Sequence, residues 1–369
     1  MTTPDRDTPR RRPGWRRGRI AAGLGLVVLA SSATSPLVRY LSHAAWSEVR
    51  ILARRRPITV VIADPATAPA VRAQLDLVLA ARQFAADSLG LRVKQSFTMY
   101  TKLDHDTLVL VLGAAYRDRL QPVTWWFPIV GQVPYKGFFD FAAAVRSADE
   151  LRRQGFDAYV RPSPAFSTLG WFNDPVVSAS LEADSADLAT TVIHELTHNT
   201  FYASGQAPFN ESFASFVGAR GAERFFRGRG EHRLADLAAA RWADEVALGG
   251  FWTFVARRLD SAFRAHGGAD SSSRAARLAA RDTIFRVARD SMTGSLAHRV
   301  RTIAPQVLAR AKLDNAVLLA RLVYGTDLDR FDSVYARTGR DLRRAIAQVI
   351  AIANARPHAP FAALEGRAR

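Results

Sequence analysis

One segment constrains this chain more than any other: residues 191–216, which read TVIHELTHNTFYASGQAPFNESFASF. His194 and His198 are four residues apart, so on a helix their imidazoles project from the same face and can converge on one metal ion. Glu195 lies beside them. The pattern H-E-x-x-H on a helix is typical of zinc proteases, in which the glutamate is the general base for an attacking water.

The residues around the motif predict an amphipathic helix. Apolar residues occupy the side away from the histidines. They are Val192, Ile193 and Leu196. Asp184 or Ser185 is a suitable N-cap and Gly205 a stop signal, which predicts a helix of about five turns. The competing interpretation is a surface helix that carries the motif by chance.

A catalytic zinc site needs a third protein ligand and keeps one position open. A metzincin would place glycine and histidine where this chain has Phe201 and Ser204. Instead, residues 208–214 (PFNESFA) begin a second predicted helix with Glu211 in its first turn. Its expected buried stripe is Phe213, Phe216 and Val217. A short loop between antiparallel helices would return the Glu211 carboxylate to the histidines, which predicts one zinc ion per chain on His194, His198 and Glu211.

The run N-E-S-F-A resembles the N-E-G-F-A run of the aminopeptidase N and leukotriene hydrolase group of gluzincins, where the spacing is longer. A closer resemblance is to the bacterial family of predicted aminopeptidases, which read H-E-L-A-H, then a tyrosine, then F-N-E-S-F-A. The matching residues here are His194 to His198, Tyr202, and Phe209 to Ala214. The resemblance covers most of residues 57–225 and implies a gluzincin-type zinc peptidase.

The expected chemistry is metal-assisted amide hydrolysis, with Glu195 taking a proton from water and passing it to the leaving amine. A donor must also stabilise the oxyanion. Tyr202 is one candidate, on the same predicted helical face as His198. Tyr324 is the other, because it matches the family's C-terminal pattern. The sequence leaves the choice open, and a structural role remains open for each tyrosine.

Two loops, 125–140 and 164–175, are dense in aromatic residues and glycine, and both resemble the same family. We expect the second loop to hold an extended peptide by its backbone. Its candidate substrate contacts are Ser167, Thr168 and Gly170. The competing interpretation is a packed corner under the metal-binding helix.

Composition excludes several classes of protein. The absence of cysteine rules out disulfides, a thiol nucleophile and a lipoprotein-type acylated cysteine. The net charge is +17, yet no basic run is interleaved with aromatic residues beyond the first twenty positions. This pattern favours solvated helix faces over nucleic-acid binding. Arg274, Arg277 and Arg281 are expected to form such a solvated face.

The pattern of helical and strand-like segments predicts an α+β fold that is mostly helical, with a small mixed or antiparallel sheet and a zincin-like helix pair. We expect four regions. They are a signal peptide or N-terminal membrane anchor (1–40), an α+β half with substrate-side loops (41–180), the zinc-site helix pair (181–230) and a helical C-terminal region (231–369).

A basic stretch precedes the apolar run 20–30, which predicts export to the periplasm or cell envelope, with the run either cleaved or retained as an anchor. The sequence supports two functions: a zinc-dependent peptide hydrolase, as an aminopeptidase acting on peptides, or a non-catalytic envelope protein with a zinc-stabilised helix pair. Glu195 favours the hydrolase, because a structural zinc site has no use for a base. Oligomeric state is not predicted.

Overall fold

The structure is a computed structural model that describes residues 52–103, 109–127, 131–163 and 175–365. Residues from Arg54 onward form one compact unit. Helices dominate this unit and the strands form small sheets, which confirms the predicted α+β, mostly helical fold. Within the described part, no helix is both long and apolar enough to span a membrane. The predicted targeting segment, residues 1–40, lies outside the described residues.

The helices follow one another along most of the chain. They are α1 (Ile58–Ala63), α2 (Pro69–Asp87), α3 (Phe141–Arg153), α4 (Ser185–Thr200), α5 (Ala207–Gly228), α6 (His232–Ala265), α7 (Ser271–Ser291), α8 (Pro305–Arg310), α9 (Asn315–Gly325), α10 (Leu328–Arg337), α11 (Leu342–Ala355) and α12 (Pro360–Leu364). The predicted helical C-terminal region is thus made of the helices α6 to α12.

Eight strands are described. They are β1 (Arg56–Pro57), β2 (Met99–Thr101), β3 (Val109–Ala115), β4 (Trp125–Phe127), β5 (Gly131–Val133), β6 (Tyr135–Phe138), β7 (Asp157–Ser163) and β8 (Val176–Val177). The largest pairing is antiparallel, in the order β6-β3-β7, and a second sheet, β1-β2-β8, contains one parallel pair. The predicted loop 125–140 is therefore largely strand.

The two faces of the β6-β3-β7 sheet have different neighbours. One face packs on α3 through a small apolar cluster, which includes Leu112, Ala114, Phe138, Ala144, Ala148 and Ala158. On the other face, Gly113 is paired with Tyr135 on one side and Tyr159 on the other. Side chains alternate along a strand, so Arg161, two residues after Tyr159, shares this second face.

Apolar packing fixes the helix pair α4–α5 in the main core. The predicted apolar face of α4 is confirmed, since Val192, Ile193 and Leu196 are fully buried. The aromatic residues of α5 surround Phe331 of α10, with ring centroids 5.6–5.9 Å away. They are Phe209, Phe213 and Phe216. Large buried rings of this kind stabilise a fold strongly, and here they hold one side of α5 while its other side contacts α4.

Buried ion pairs join the sheet to helix α7. Arg281 is only 5% exposed, and its guanidinium donates to Asp157 at 2.6 Å. Arg277 pairs with Asp118 at 3.3 Å. The prediction of a solvated arginine face was therefore wrong for these two residues. The reason is tertiary: the sheet and its adjoining turn present two carboxylates to α7, which sequence spacing does not reveal.

Helices α4 and α5 approach each other closely at Gly218. A Cβ atom at this position would lie 2.7 Å from the Thr190 carbonyl oxygen and 3.1 Å from the His194 Cβ. Glu211 precedes Gly218 by seven residues, almost two helical turns, so both lie on the same face of α5. The close approach therefore presents the Glu211 carboxylate to the histidines of α4.

The first prediction concerns this contact. Gly218→Ala should lower the free energy of unfolding by about 1–3 kcal/mol, because the added methyl group collides with backbone and forces the helices apart. Affinity for the zinc ion predicted from the sequence should fall with it, since Glu211 moves away from the histidines. Thermal unfolding and zinc titration measure the two effects.

Gly228→Ala is the matched control on the same helix. No atom lies within 4 Å of a Cβ built there, so the substitution should leave stability unchanged or raise it by about 0.5–1 kcal/mol. If Gly218→Ala unfolds at the parent's temperature and binds zinc equally well, the close approach does not position Glu211.

Candidate metal centre

Helix α4 begins where the sequence predicted. Asp184 is the N-cap, and its Oδ1 accepts hydrogen bonds at 3.0 Å from the backbone N–H groups of Ala186 and Asp187. Arg241 of α6 donates to both Asp184 and Asp187. The Arg241 hydrogen bond is the main reason why the pKa of Asp184 falls to about 2. The start of the metal-binding helix is thus tied to α6.

The end of α4 differs from the prediction. The helix stops at Thr200 rather than near Gly205, so Tyr202 lies in the connecting loop and is 60% exposed. The physical reason is the buried Asn210 side chain, which accepts from the Ala203 N–H and donates to the Ala203 carbonyl, both at 2.8 Å. These two hydrogen bonds hold the loop against α5. The expected placement of Tyr202 on the helical face of His198 was wrong.

The three predicted ligands converge. The Nε2 atoms of His194 and His198 are 3.3 Å apart, and Glu211 places one oxygen 3.4 Å from His194 and the other 3.7 Å from His198. Among the described residues these three form the one group of histidine, aspartate and glutamate side chains with the geometry to hold a metal ion. All three side chains are mostly buried but still reachable from solvent.

These separations fit a tetrahedral ion. Ligand atoms about 2.0–2.1 Å from a tetrahedral zinc ion lie about 3.3–3.5 Å from one another. The separation of the two Nε2 atoms lies in this range, and each Nε2 atom has a Glu211 oxygen nearby, at 3.4 Å for His194 and 3.7 Å for His198, although the two oxygens differ. One ligand atom from each of the three residues lies within 4.8 Å of the others. Two imidazoles and one carboxylate are also a donor set found in catalytic zinc sites, which leave the fourth position open. The residues present therefore fit zinc.

Glu211 and His198 shift each other's protonation in opposite directions. Burial alone would raise the pKa of Glu211, but hydrogen bonds and charge from His194 and His198 outweigh it and lower this pKa to about 2. Burial would lower the pKa of His198, but the hydrogen bond and charge of Glu211 raise it. The Glu211 carboxylate is thus ionised at neutral pH, the state in which it can ligate a metal.

Glu195 is distinct from the ligands. Its side chain is partly buried and makes no hydrogen bond or ion pair with any residue that the structure describes. It lies within electrostatic range of His198 and of Tyr324, since its charge raises the pKa of both. A carboxylate next to the ligands but not engaged by them is available to move protons.

Two tyrosines on other elements lie within electrostatic range of this centre. Burial, followed by the charge of Glu211, raises the pKa of Tyr324 of α9 and also that of Tyr135 of β6. For Tyr324, the charge of Glu195 contributes as well. The sequence analysis named Tyr324 but missed Tyr135, although it flagged the aromatic loop that contains it. The pairing of β6 with β3 brings Tyr135 to the site, and no local spacing signals that.

The remaining sequence predictions fall outside the described part. Ser167, Thr168 and Gly170 lie in the segment 164–174, which is not among the described residues, so their role as substrate contacts stays a prediction.

Comparison with known proteins identifies a family for this chain. The sequence profile of one family, described as "putative aminopeptidase", matches residues 39–364. The chain belongs to the putative aminopeptidase family. Membership confirms the resemblance to predicted aminopeptidases found in the sequence, and the match spans both the metal centre and Tyr324. No curated protein and no solved structure matches the chain.

The second prediction concerns the cap of the metal-binding helix. Asp184→Asn keeps a good N-cap but loses the ion pair with Arg241. Asp184→Ala loses both, so it should lower the free energy of unfolding by about 0.5–2 kcal/mol more than Asp184→Asn does. The pKa of Asp184 is lower in the folded chain than its ordinary value of 3.8, so its stabilising contribution is complete above that value and is lost as the pH falls towards 2.

Thermal unfolding across pH measures this contribution. The difference in Tm between the parent and Asp184→Asn should shrink as the pH falls from about 5 towards 2. A difference that stays constant over that range would mean that the ionised Asp184 does not stabilise the start of α4.

Proposed function

We propose that this protein is a zinc-dependent peptide hydrolase of the gluzincin type, acting as an aminopeptidase. The observation that carries the proposal is the convergence of His194, His198 and Glu211 beside Glu195, whose carboxylate has no other partner among the described residues. Family membership supports the choice of peptides as substrates.

The residues divide the chemistry between them. His194, His198 and Glu211 would hold the ion, which when bound supplies a Lewis acid that polarises the scissile carbonyl and activates water. Glu195 takes the proton of the attacking water and delivers it to the leaving amine. A general base of this kind contributes about 10²–10⁴-fold to the rate.

Tyr324 is the oxyanion donor that the electrostatics favour. The charges of Glu211 and Glu195 both raise its pKa, so its phenol is within electrostatic range of a proposed ligand and of the proposed base. The ring is 42% exposed and thus open to a substrate. Tyr135 responds to Glu211 but not to Glu195, and Tyr202 lies in the exposed loop.

Glu195, which has no hydrogen-bond or ion-pair partner in the described part of the chain, also argues against the alternative of a non-catalytic envelope protein with a zinc-stabilised helix pair. In such a protein a free carboxylate beside the ligands has no task, and a structural site is usually closed by four protein ligands. We further propose that the basic and apolar N-terminal segment directs the chain to the periplasm or cell envelope and that nucleic acid is not a partner.

The third prediction separates turnover from metal binding. Glu195→Gln should keep the zinc content of the parent and lower kcat by about 10²–10⁴-fold, because the ligands remain and the base is gone. Glu211→Gln should lose zinc and activity together, since two histidines seldom retain the ion. Metal analysis and a peptide library read by mass spectrometry provide both measurements, and products shortened from the amino end identify an aminopeptidase.

Glu150→Gln is the matched control, because Glu150 is an exposed glutamate on α3 that pairs with Arg153 far along the chain from the ligands. It should match the parent in zinc content and rate. If Glu195→Gln cleaves peptides as fast as the parent, Glu195 is not the base and the proposed mechanism fails. Internal cleavage products would leave the hydrolase in place and contradict the aminopeptidase assignment.

A further inference from the structure

Arg161 of β7 contacts the proposed oxyanion donor. Its guanidinium carbon lies 5.8 Å from the centroid of the Tyr324 ring. The positive charge of Arg161 and its N–H donors lower the pKa of Tyr324, against the larger effect of burial, which raises it. The charged groups around the phenol are thus Glu211 of α5, Glu195 of α4 and Arg161 of β7.

The packing of β7 alongside α9 brings Arg161 to Tyr324. At one end, Asp157 of β7 accepts a hydrogen bond from the backbone N–H of Asn315, the first residue of α9, at 3.0 Å. Arg161 follows Asp157 by four strand residues, about 13 Å. Tyr324 follows Asn315 by nine helical residues, about 13.5 Å. The strand and helix therefore run in the same direction. Arg161 meets Tyr324 because the hydrogen bond between Asp157 and Asn315 fixes the other end of the strand and helix.

The anchor itself is well buried. Asp157 also accepts from Arg281 at 2.6 Å, and the Asn315 side chain donates to the Tyr116 carbonyl at 2.8 Å. Asp157, Arg281 and Asn315 are all buried. Because buried charged hydrogen bonds tolerate little movement, the register between β7 and α9 is rigid.

The chemistry of the two side chains sets the direction of the hydrogen bond. A guanidinium has five N–H donors and no acceptor, whereas a phenol can donate one hydrogen bond and accept others. In a hydrogen bond between them, the Tyr324 oxygen must accept. The phenol proton is then left free to be donated to a third group.

We propose that Arg161 is a positioning residue, which fixes the Tyr324 phenol as an acceptor towards itself and so aims the phenol proton at the developing oxyanion. This inference rests on the proposed function. Within the described ranges no carboxylate lies within 4 Å of the Arg161 guanidinium to compete for it. The competing role for an arginine at this place is to bind a carboxylate of the substrate, and the tests below distinguish the two.

The first test uses the zinc-free protein and needs no activity. Tyrosine labelled with ¹³C at Cζ gives one resonance for Tyr324, which is identified by its loss in Tyr324→Phe. Arg161→Met should shift that resonance and raise the pKa at which it titrates, because a hydrogen-bond donor and a positive charge are removed. Arg153→Met, an exposed arginine on α3, is the control and should leave it unchanged. An unshifted resonance in Arg161→Met would overturn the inference.

The second test is a double-mutant cycle on the zinc-loaded enzyme. Tyr324→Phe should lower kcat by about 10²–10³-fold. Arg161→Met should lower it by about 10–100-fold with little change in KM, as expected for a group that orients a catalytic side chain. In the Tyr324→Phe background, Arg161→Met should have no further effect. The kcat of Arg161→Lys should lie between those of the parent and Arg161→Met, because lysine keeps the positive charge but loses the planar guanidinium.

The outcomes are distinct from those that test the function itself. If Glu195→Gln and Tyr324→Phe are inactive while Arg161→Met matches the parent, this inference fails and the proposed function stands. If Arg161→Met raises KM only for peptides with a free carboxyl end, and not for their amides, Arg161 binds substrate and the positioning role is overturned. Equal zinc content in all variants excludes loss of metal as the cause.

Discussion

The close approach of α4 and α5 is the constraint on which the metal centre depends. Three ligands come from two helices, so their geometry is correct only if the helix axes are held at one distance and one register. Gly218 permits the distance, since any larger residue would meet the backbone of Thr190. Asn210 fixes the register by holding the loop at Ala203. Packing of the α5 aromatic residues on Phe331 holds α5 in place from the side opposite α4.

The second layer of the site comes from the sheet. The ion pair of Asp157 with Arg281 and its hydrogen bond to Asn315 join β7, α7 and α9 in one buried group. This group places α9 beside β7, where Tyr324 lies within electrostatic range of Glu211 and Glu195. The helix pair alone brings together a group that could hold a metal ion. The sheet and α9 add the groups that convert a binding site into a candidate hydrolase.

The sequence predicted what local patterns encode. The helical period, the H-E-x-x-H spacing and the N-cap residue Asp184 placed α4, and the apolar stripe with Glu211 placed α5. The three candidate ligands could be predicted because both helices and the short loop between them lie in one continuous segment of the sequence. Tyr202 was misplaced, because the end of α4 is set by the Asn210 side chain from the next helix. A contact of that kind has no local signal.

Residues brought in by long-range contacts escaped the sequence analysis. Tyr135 reaches the site through the pairing of β6 with β3, and Arg161 through the packing of β7 on α9. The burial of Arg281 depends on an acidic residue more than a hundred positions away in the chain. A single sequence shows such residues as ordinary tyrosines and arginines, because their roles follow from tertiary pairing.

Anomalous X-ray diffraction at the zinc absorption edge, on crystals of the zinc-loaded protein, tests the central claim most directly. The account predicts one anomalous peak per chain, with Nε2 of His194, Nε2 of His198 and a carboxylate oxygen of Glu211 each about 2.0–2.2 Å from it. It also predicts that no further protein side chain fills the fourth position. A peak elsewhere, or a peak on the two histidines with Glu211 turned away, would contradict the account.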